Sequence, residues 1–209
     1  MARLRSGILG QMRGKVAGLV GGQWKNVSYI REYVKPANPN TALQQTQRTK
    51  MADCVAFAKP IVGPVFNAYT DRFQKSMSGF NRFIKSNISQ FDGSPDYSLI
   101  KLTEGKLSNV LVASCNYNTG NGAFSIAWTE NYGNNGTATD KCYVVVYDKN
   151  SELWYYAAAE VTRDTQLINI TLPVDITVTN LEAWIWSVKY SGTLVSLISN
   201  STWSDVTAP

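Results

Sequence analysis

The sequence predicts an α+β chain: a β-hairpin and helices first, then an all-β sandwich. Three observations predict it. Apolar residues recur at helical spacing between Leu43 and Ile88, and alternate with period two after Tyr97. Asp92-Gly93-Ser94-Pro95-Asp96, dense in turn formers, falls between the two patterns. Charge reverses at the same place, from +10 before Asp96 to −5 from Asp96 onward, within a total of +5. The expected domains are therefore 1–91, a basic arm, hairpin and helical docking part, and 97–209, the sandwich.

At 209 residues with 44% hydrophobic content, the chain can bury a core without staples. No stretch of about 18 apolar residues suggests a membrane span. The start, MARLRSGILGQMRGK, lacks the apolar core of a signal peptide, so the expected setting is the cytosol or an assembly built there. Cys54, Cys115 and Cys142 form no CxxC and are expected to be buried reduced thiols. The chain has no histidine, which removes the commonest general base and the usual zinc ligand sets.

Met1 to Gly14 reads as a basic, glycine-spaced arm that orders only against a partner. Gly14-Lys15 is followed by Val16, not Ser or Thr, so it does not match a phosphate-cradling loop. Lys15–Val20 and Gln23–Val34 read as strands joined by Gly21-Gly22, a pair suited to a tight turn. Alternation along the second strand puts Val27, Tyr29, Arg31 and Tyr33 on one face and Trp24, Ile30 and Val34 on the other. Neither face is purely polar. Tyr, Trp and Arg are the types enriched where protein interfaces concentrate their energy.

Lys35-Pro36-Ala37 ends the strand. Asn38-Pro39 and Thr41-Ala42-Leu43-Gln44 are two candidate helix starts. Leu43, Gln47, Met51, Cys54, Val55 and Ala58 form the expected inward stripe, and Pro60 breaks or kinks the helix. A second apolar segment runs Ile61–Phe73 with Val65, Phe66 and Tyr69. A third, Ser76–Ile88, places Met77, Phe80, Phe83, Ile84, Asn87 and Ile88 on one side.

Beyond the linker, eight short β segments follow: Ser98–Thr103, Asn109–Tyr117, Ala123–Asn131, Lys141–Asp148, Glu152–Val161, Gln166–Leu172, Leu181–Tyr190 and Leu194–Trp203. Turn formers such as Gly120-Asn121-Gly122, Gly133-Asn134-Asn135-Gly136 and Ser191-Gly192 separate them. Phe124, Ile126 and Trp128 point inward. For Tyr143, Val145 and Tyr147 against Cys142, Val144 and Val146, the inner set is open. The same holds for Trp184 and Trp186 against Ala183 and Ile185.

No motif fixes a nucleophile or an oxyanion hole, and the carboxylates are dispersed, so no enzyme, cofactor or metal is expected. Asp148-Lys149-Asn150 with Glu152 reads as a solvated turn, not a calcium loop. Trp154, Tyr155, Tyr156, Trp184, Trp186 and Trp203 exceed what one core needs, which keeps glycan binding open. The +10 front keeps nucleic-acid binding open.

Two segments resemble a family of unannotated proteins of bacteria and their phages. The first carries Gly14-Lys15, Gly18, Trp24-Lys25, Tyr29-Ile30-Arg31, Asn38-Pro39-Asn40-Thr41 and Gln44, Gln45, Gln47 and Arg48. The second is Phe124–Trp128 followed by Ala138-Thr139-Asp140-Lys141, and it also resembles the core-Trp strand of fibronectin type III modules. The resemblance implies an immunoglobulin-like or fibronectin III-like sandwich and a phage virion or assembly component, made in the host cytoplasm. The expected partners are other virion proteins and copies of the chain. The residues expected to dock are Trp24, Tyr29, Arg31, Tyr33, Asn38 and Arg48. The rivals are a surface adhesion module that binds glycans and a nucleic-acid binder.

Overall fold

The computed structural model describes residues 2–4, 13–25, 27–35, 37–71, 77–133, 135–157 and 161–209. The chain forms two compact units, Met1–Ala42 and Leu43–Pro209. The division does not fall at 92–96. The helices after Leu43 share one apolar core with the sandwich, so that linker is only a bend on the surface of the second unit.

The first unit is a four-stranded antiparallel sheet. It is built from β1 (Ala2–Leu4), β2 (Gly14–Val16), β3 (Leu19–Trp24) and β4 (Val27–Glu32), in the order β1-β4-β3-β2. Two expectations change here. Part of the arm pairs inside the chain, Ala2–Leu4 lying against Ser28–Ile30; the rest of the arm, Met1 and 5–12, lies outside the described residues. The turns fall at Ala17-Gly18 and at Lys25, not at Gly21-Gly22, which sit inside β3. Ala17 and Lys25 themselves take the left-handed backbone, with φ of 53° and 44°. The double glycine serves a close approach instead. A Cβ on Gly22 would stand 2.8 Å from ring atoms of Tyr29, directly across the ladder. Pro36, expected to help end the strand, lies outside the described residues.

The second unit opens with helix α1 (Ala42–Ala58), so the chain uses the later of its two start signals. A 3₁₀ turn at Lys59–Ile61 and a π-helix at Val62–Thr70 continue it. Pro60 therefore changes the helix type without ending the run, because its missing N–H is tolerated in the first turn of the 3₁₀ segment. The inward stripe differs from the expected one. Cys54, Phe57, Ala58 and Ile61 are buried, whereas Leu43 is 84% and Met51 42% exposed. Only the C-terminal end of α1 reaches the core. Helix α2 (Gly79–Asn87) is capped by Ser78, whose hydroxyl accepts from the Asn81 N–H at 3.3 Å. It buries Phe83, Ile84 and Asn87 as expected. Phe73 and Ser76, which closed and opened the expected segments here, lie outside the described residues.

Ser98–Thr103 is not a strand. It begins with a 3₁₀ turn at Tyr97–Leu99, and side chains satisfy its backbone. Asn87 accepts from the Lys101 N–H at 2.9 Å and donates to the Lys101 carbonyl at 3.0 Å. Ser201 accepts from the Leu102 N–H at 2.8 Å.

Five of the seven remaining segments each form one strand; the expected Glu152–Val161 instead carries Leu153–Tyr156 and the start of Val161–Thr162, and the expected Leu194–Trp203 carries Leu194–Ile198 and the start of Thr202–Asp205. β5 (Leu111–Asn118), β6 (Ala123–Thr129) and β10 (Leu167–Thr171) form a three-stranded antiparallel sheet in the order β10-β6-β5. β7 (Lys141–Asp148), β8 (Leu153–Tyr156), β9 (Val161–Thr162), β11 (Leu181–Ser191), β12 (Leu194–Ile198) and β13 (Thr202–Asp205) form the larger one. β7 and β11 lie at its centre. Asn134 and 158–160, which belong to an expected turn and an expected strand, lie outside the described residues.

The open question of inward faces has a layered answer. Cys142, Val144, Val146, Ala183 and Ile185 pack with Phe124, Ile126 and Trp128 of the small sheet. Tyr147, Val145, Trp184 and Trp186 pack with Phe57, Phe66 and Phe83 of the helices. Both sets face inward because the large sheet is the middle of three layers.

The three cysteines are free and buried. Burial pushes Cys54 up from 9.0 to about 11 and, as the leading cause, Cys115 and Cys142 to about 12. A thiol raised in the folded chain stabilises it fully below the unfolded value. That contribution is lost as pH climbs toward the folded value. The unfolding midpoint should therefore stay level up to about pH 8.5 and fall between about 9 and 12. Tyr147, pushed up to about 12 first by burial, adds to the fall. Thermal unfolding followed across this range checks it. A thiol reagent at pH 8 should label the native chain far more slowly than the urea-unfolded chain.

Candidate docking face

The site grows from the register of the first sheet. Cross-strand partners point to the same side of a sheet. Lys15 pairs with Val20, Val20 with Arg31, Gly22 with Tyr29, and Trp24 with Val27. Lys15, Trp24, Tyr29 and Arg31 therefore share one face. The Lys15 ammonium sits 3.5 Å from the centre of the Tyr33 ring, which brings Tyr33 to that face too. The Tyr33 N–H donates to the Gly18 carbonyl at 2.8 Å, holding the segment just past β4 against the first turn. This corrects the expectation that Trp24 lies opposite Tyr29. Alternation does not run through the turn at Lys25, and the reversal places Trp24 beside Val27.

Trp24 is 67% exposed and Tyr33 44% exposed; Arg31 is exposed and Tyr29 half-buried over Gly22. The Lys25 ammonium lies 4.9 Å from the Trp24 ring centre. The strip thus alternates rings with cations, and two lysines already rest on rings. Such a face offers broad amphipathic area at small cost in side-chain entropy, together with hydrogen-bond donors.

Asn38 does not join the strip. Asn38 lies in the exposed stretch 37–41, outside the sheet, and Arg48 is on α1 in the second unit. Lys15 and Lys25 were missed as members. The one signal for the strip's geometry was Gly22, since glycine inside a strand marks a close approach.

The rest of the chain offers fewer exposed rings than its composition suggests. Trp154, Trp184 and Trp186 are buried, and the Trp203 indole donates to Glu182 Oε2 at 2.6 Å. Asp148 is engaged in its own turn, accepting from the Asn150 N–H at 2.9 Å and the Ser151 hydroxyl at 2.6 Å. Among the described residues no cluster of three acidic or cysteine side chains could hold a metal ion, and no helix is long and apolar enough to cross a membrane.

A sequence model described as a family of unknown function (DUF6266) matches residues 11–203. The chain belongs to this family. The DUF6266 match covers β2 to β4, and so every residue of the strip, together with nearly all of the second unit. No curated protein and no solved structure matches the chain.

Proposed function

We propose that the chain is a non-enzymatic structural or assembly protein that docks through its N-terminal sheet and presents its sandwich. The single observation behind this reading is the shared, exposed face of Trp24, Tyr29, Arg31 and Tyr33. An isolated chain gains nothing by leaving a tryptophan two-thirds in water; a neighbour that covers it does.

The finer reading of the sandwich is an immunoglobulin-like or fibronectin III-like module. In its support, β5, β6 and β10 form one sheet and β7, β8, β9, β11, β12 and β13 the other, with Trp128 buried on β6. The reading as a phage virion component, with other virion proteins and further copies as partners, rests on the resemblance of the two sequence segments.

Mass spectrometry of purified particles tests it, comparing the native chain with Trp24→Ala and Tyr33→Ala. Incorporation should fall at least 30-fold for Trp24→Ala, as expected of a central aromatic worth about 2 kcal/mol or more. The thermal midpoint should barely move, since neither ring is buried. Absence of the native chain from every particle fraction would overturn the virion reading. Steep, salt-dependent DNA binding lost in Arg31→Ala would favour the nucleic-acid reading instead.

A further inference from the structure

A cleft of about 300 Å³ lies wholly within the second unit. It opens where the end of α1 and the bend at 91–97 meet the edge of the large sheet. Phe57, Tyr97, Tyr147 and Trp154 line it, with Asp53 and Glu152. The rings form a cup. Phe57 meets Trp154 edge-on with centroids 4.8 Å apart and meets Tyr147 edge-on at 4.9 Å. Tyr147 lies 4.8 Å from Trp154 and 5.9 Å from Tyr97.

The charge around this cup is negative. Asp53 and Glu152 are exposed, and among the described residues no hydrogen bond or ion pair engages either carboxylate. Among the described residues no lysine or arginine lines the cleft. Burial, then the fields of Glu182 and Glu152, pushes the Tyr97 phenol up, so it stays neutral. Beside the cleft the chain already uses the chemistry that such a place selects. The Lys149 ammonium lies 5.6 Å from the Tyr97 ring centre and bonds Glu182 Oε1 at 2.7 Å. That ion pair answers Glu182 and leaves Asp53 and Glu152 for something else.

We propose that this cleft binds an organic cation: an ammonium or guanidinium on a slim aliphatic stem, the chemistry of a lysine or arginine side chain. The stem lies against the rings, the cation faces their π surfaces, and the two carboxylates at the wall complete its partners. A neutral sugar fits less well, because the rings are largely buried and the polar groups on the wall carry negative charge.

The test follows the Trp154 indole N–H signal of the full chain by NMR. The probes are blocked tripeptides with central lysine, arginine or norleucine, n-butylammonium, and a neutral trisaccharide. Lysine and arginine peptides should shift the signal saturably, more weakly at high salt, and norleucine should not. Asp53→Asn and Glu152→Gln should each weaken binding roughly fivefold, the size of a partly exposed charge contact. Both positions are on the surface, so the unfolding midpoint should hold. Binding of n-butylammonium as tight as that of the lysine peptide identifies a free amine as the ligand. Tighter peptide binding identifies a protein segment; both uphold the site. The proposal fails if neither cation shifts the signal. It fails equally if norleucine binds as well as lysine, if the sugar alone binds, or if the two charge variants bind as the native chain does.

Discussion

Phe57→Ala should destabilise the second unit by about 3–5 kcal/mol, the usual cost of deleting a buried aromatic ring. Phe57 is where the helical layer meets the large sheet. Its ring centre lies 5.4 Å from Phe91, 4.9 Å from Tyr147, 4.8 Å from Trp154 and 6.2 Å from Trp184. These neighbours come from the bend after α2, from β7, from β8 and from β11, so they cannot all collapse into the space left behind. Urea unfolding should show one transition at a lower midpoint, because the helices and the sandwich share that core. Loss of the helices in a separate early transition, with the sandwich unchanged, would restore a boundary near residue 92.

Arg163→Ala should cost about 3 kcal/mol by leaving hydrogen-bond acceptors unmet around a buried space. Arg163 is 1% exposed, and among the described residues no carboxylate forms an ion pair with it. Its guanidinium donates to the Ser108 carbonyl at 3.0 Å, to the Asn109 carbonyl at 2.7 Å and to the Ser187 hydroxyl at 3.2 Å. Its own backbone N–H donates to the Asp140 carbonyl at 2.7 Å, and its carbonyl accepts from the Trp128 indole at 2.8 Å. One residue thus ties the approach to β5, the approach to β7, and β6 to β11. Arg163→Met keeps much of the stem volume and removes the donors, so it separates packing from hydrogen bonding. Its cost should lie close to that of the alanine variant. A midpoint equal to the native one in the methionine variant would show that the guanidinium holds nothing.

Neither residue announces itself in the sequence. Phe57 falls one position before the expected Ala58 and completes a stripe with Cys54 and Ile61. The expected stripe was drawn from Leu43, where α1 is exposed on every side and periodicity carries no packing. An arginine after a short strand reads as a solvated charge, because burial of that residue type is rare. The docking strip was half legible. Its residue types pointed to an interface, but its shared face required the turn at Lys25, which no glycine or proline marks.

The sequence by itself determined the order of elements: a helix before Pro60, a helix ending near Ile88, the seven β segments from Asn109 to Trp203, and three thiols without partners. These follow from local backbone geometry, where a period of 3.6 or 2 and a turn former suffice. Tertiary structure alone decided the rest. β7 and β11 are apolar on both sides, so no polar face marks their orientation until a helical layer and a second sheet cover them. The unit boundary at Ala42 and the register that unites Trp24 with Tyr29 likewise depend on segments that meet only after folding.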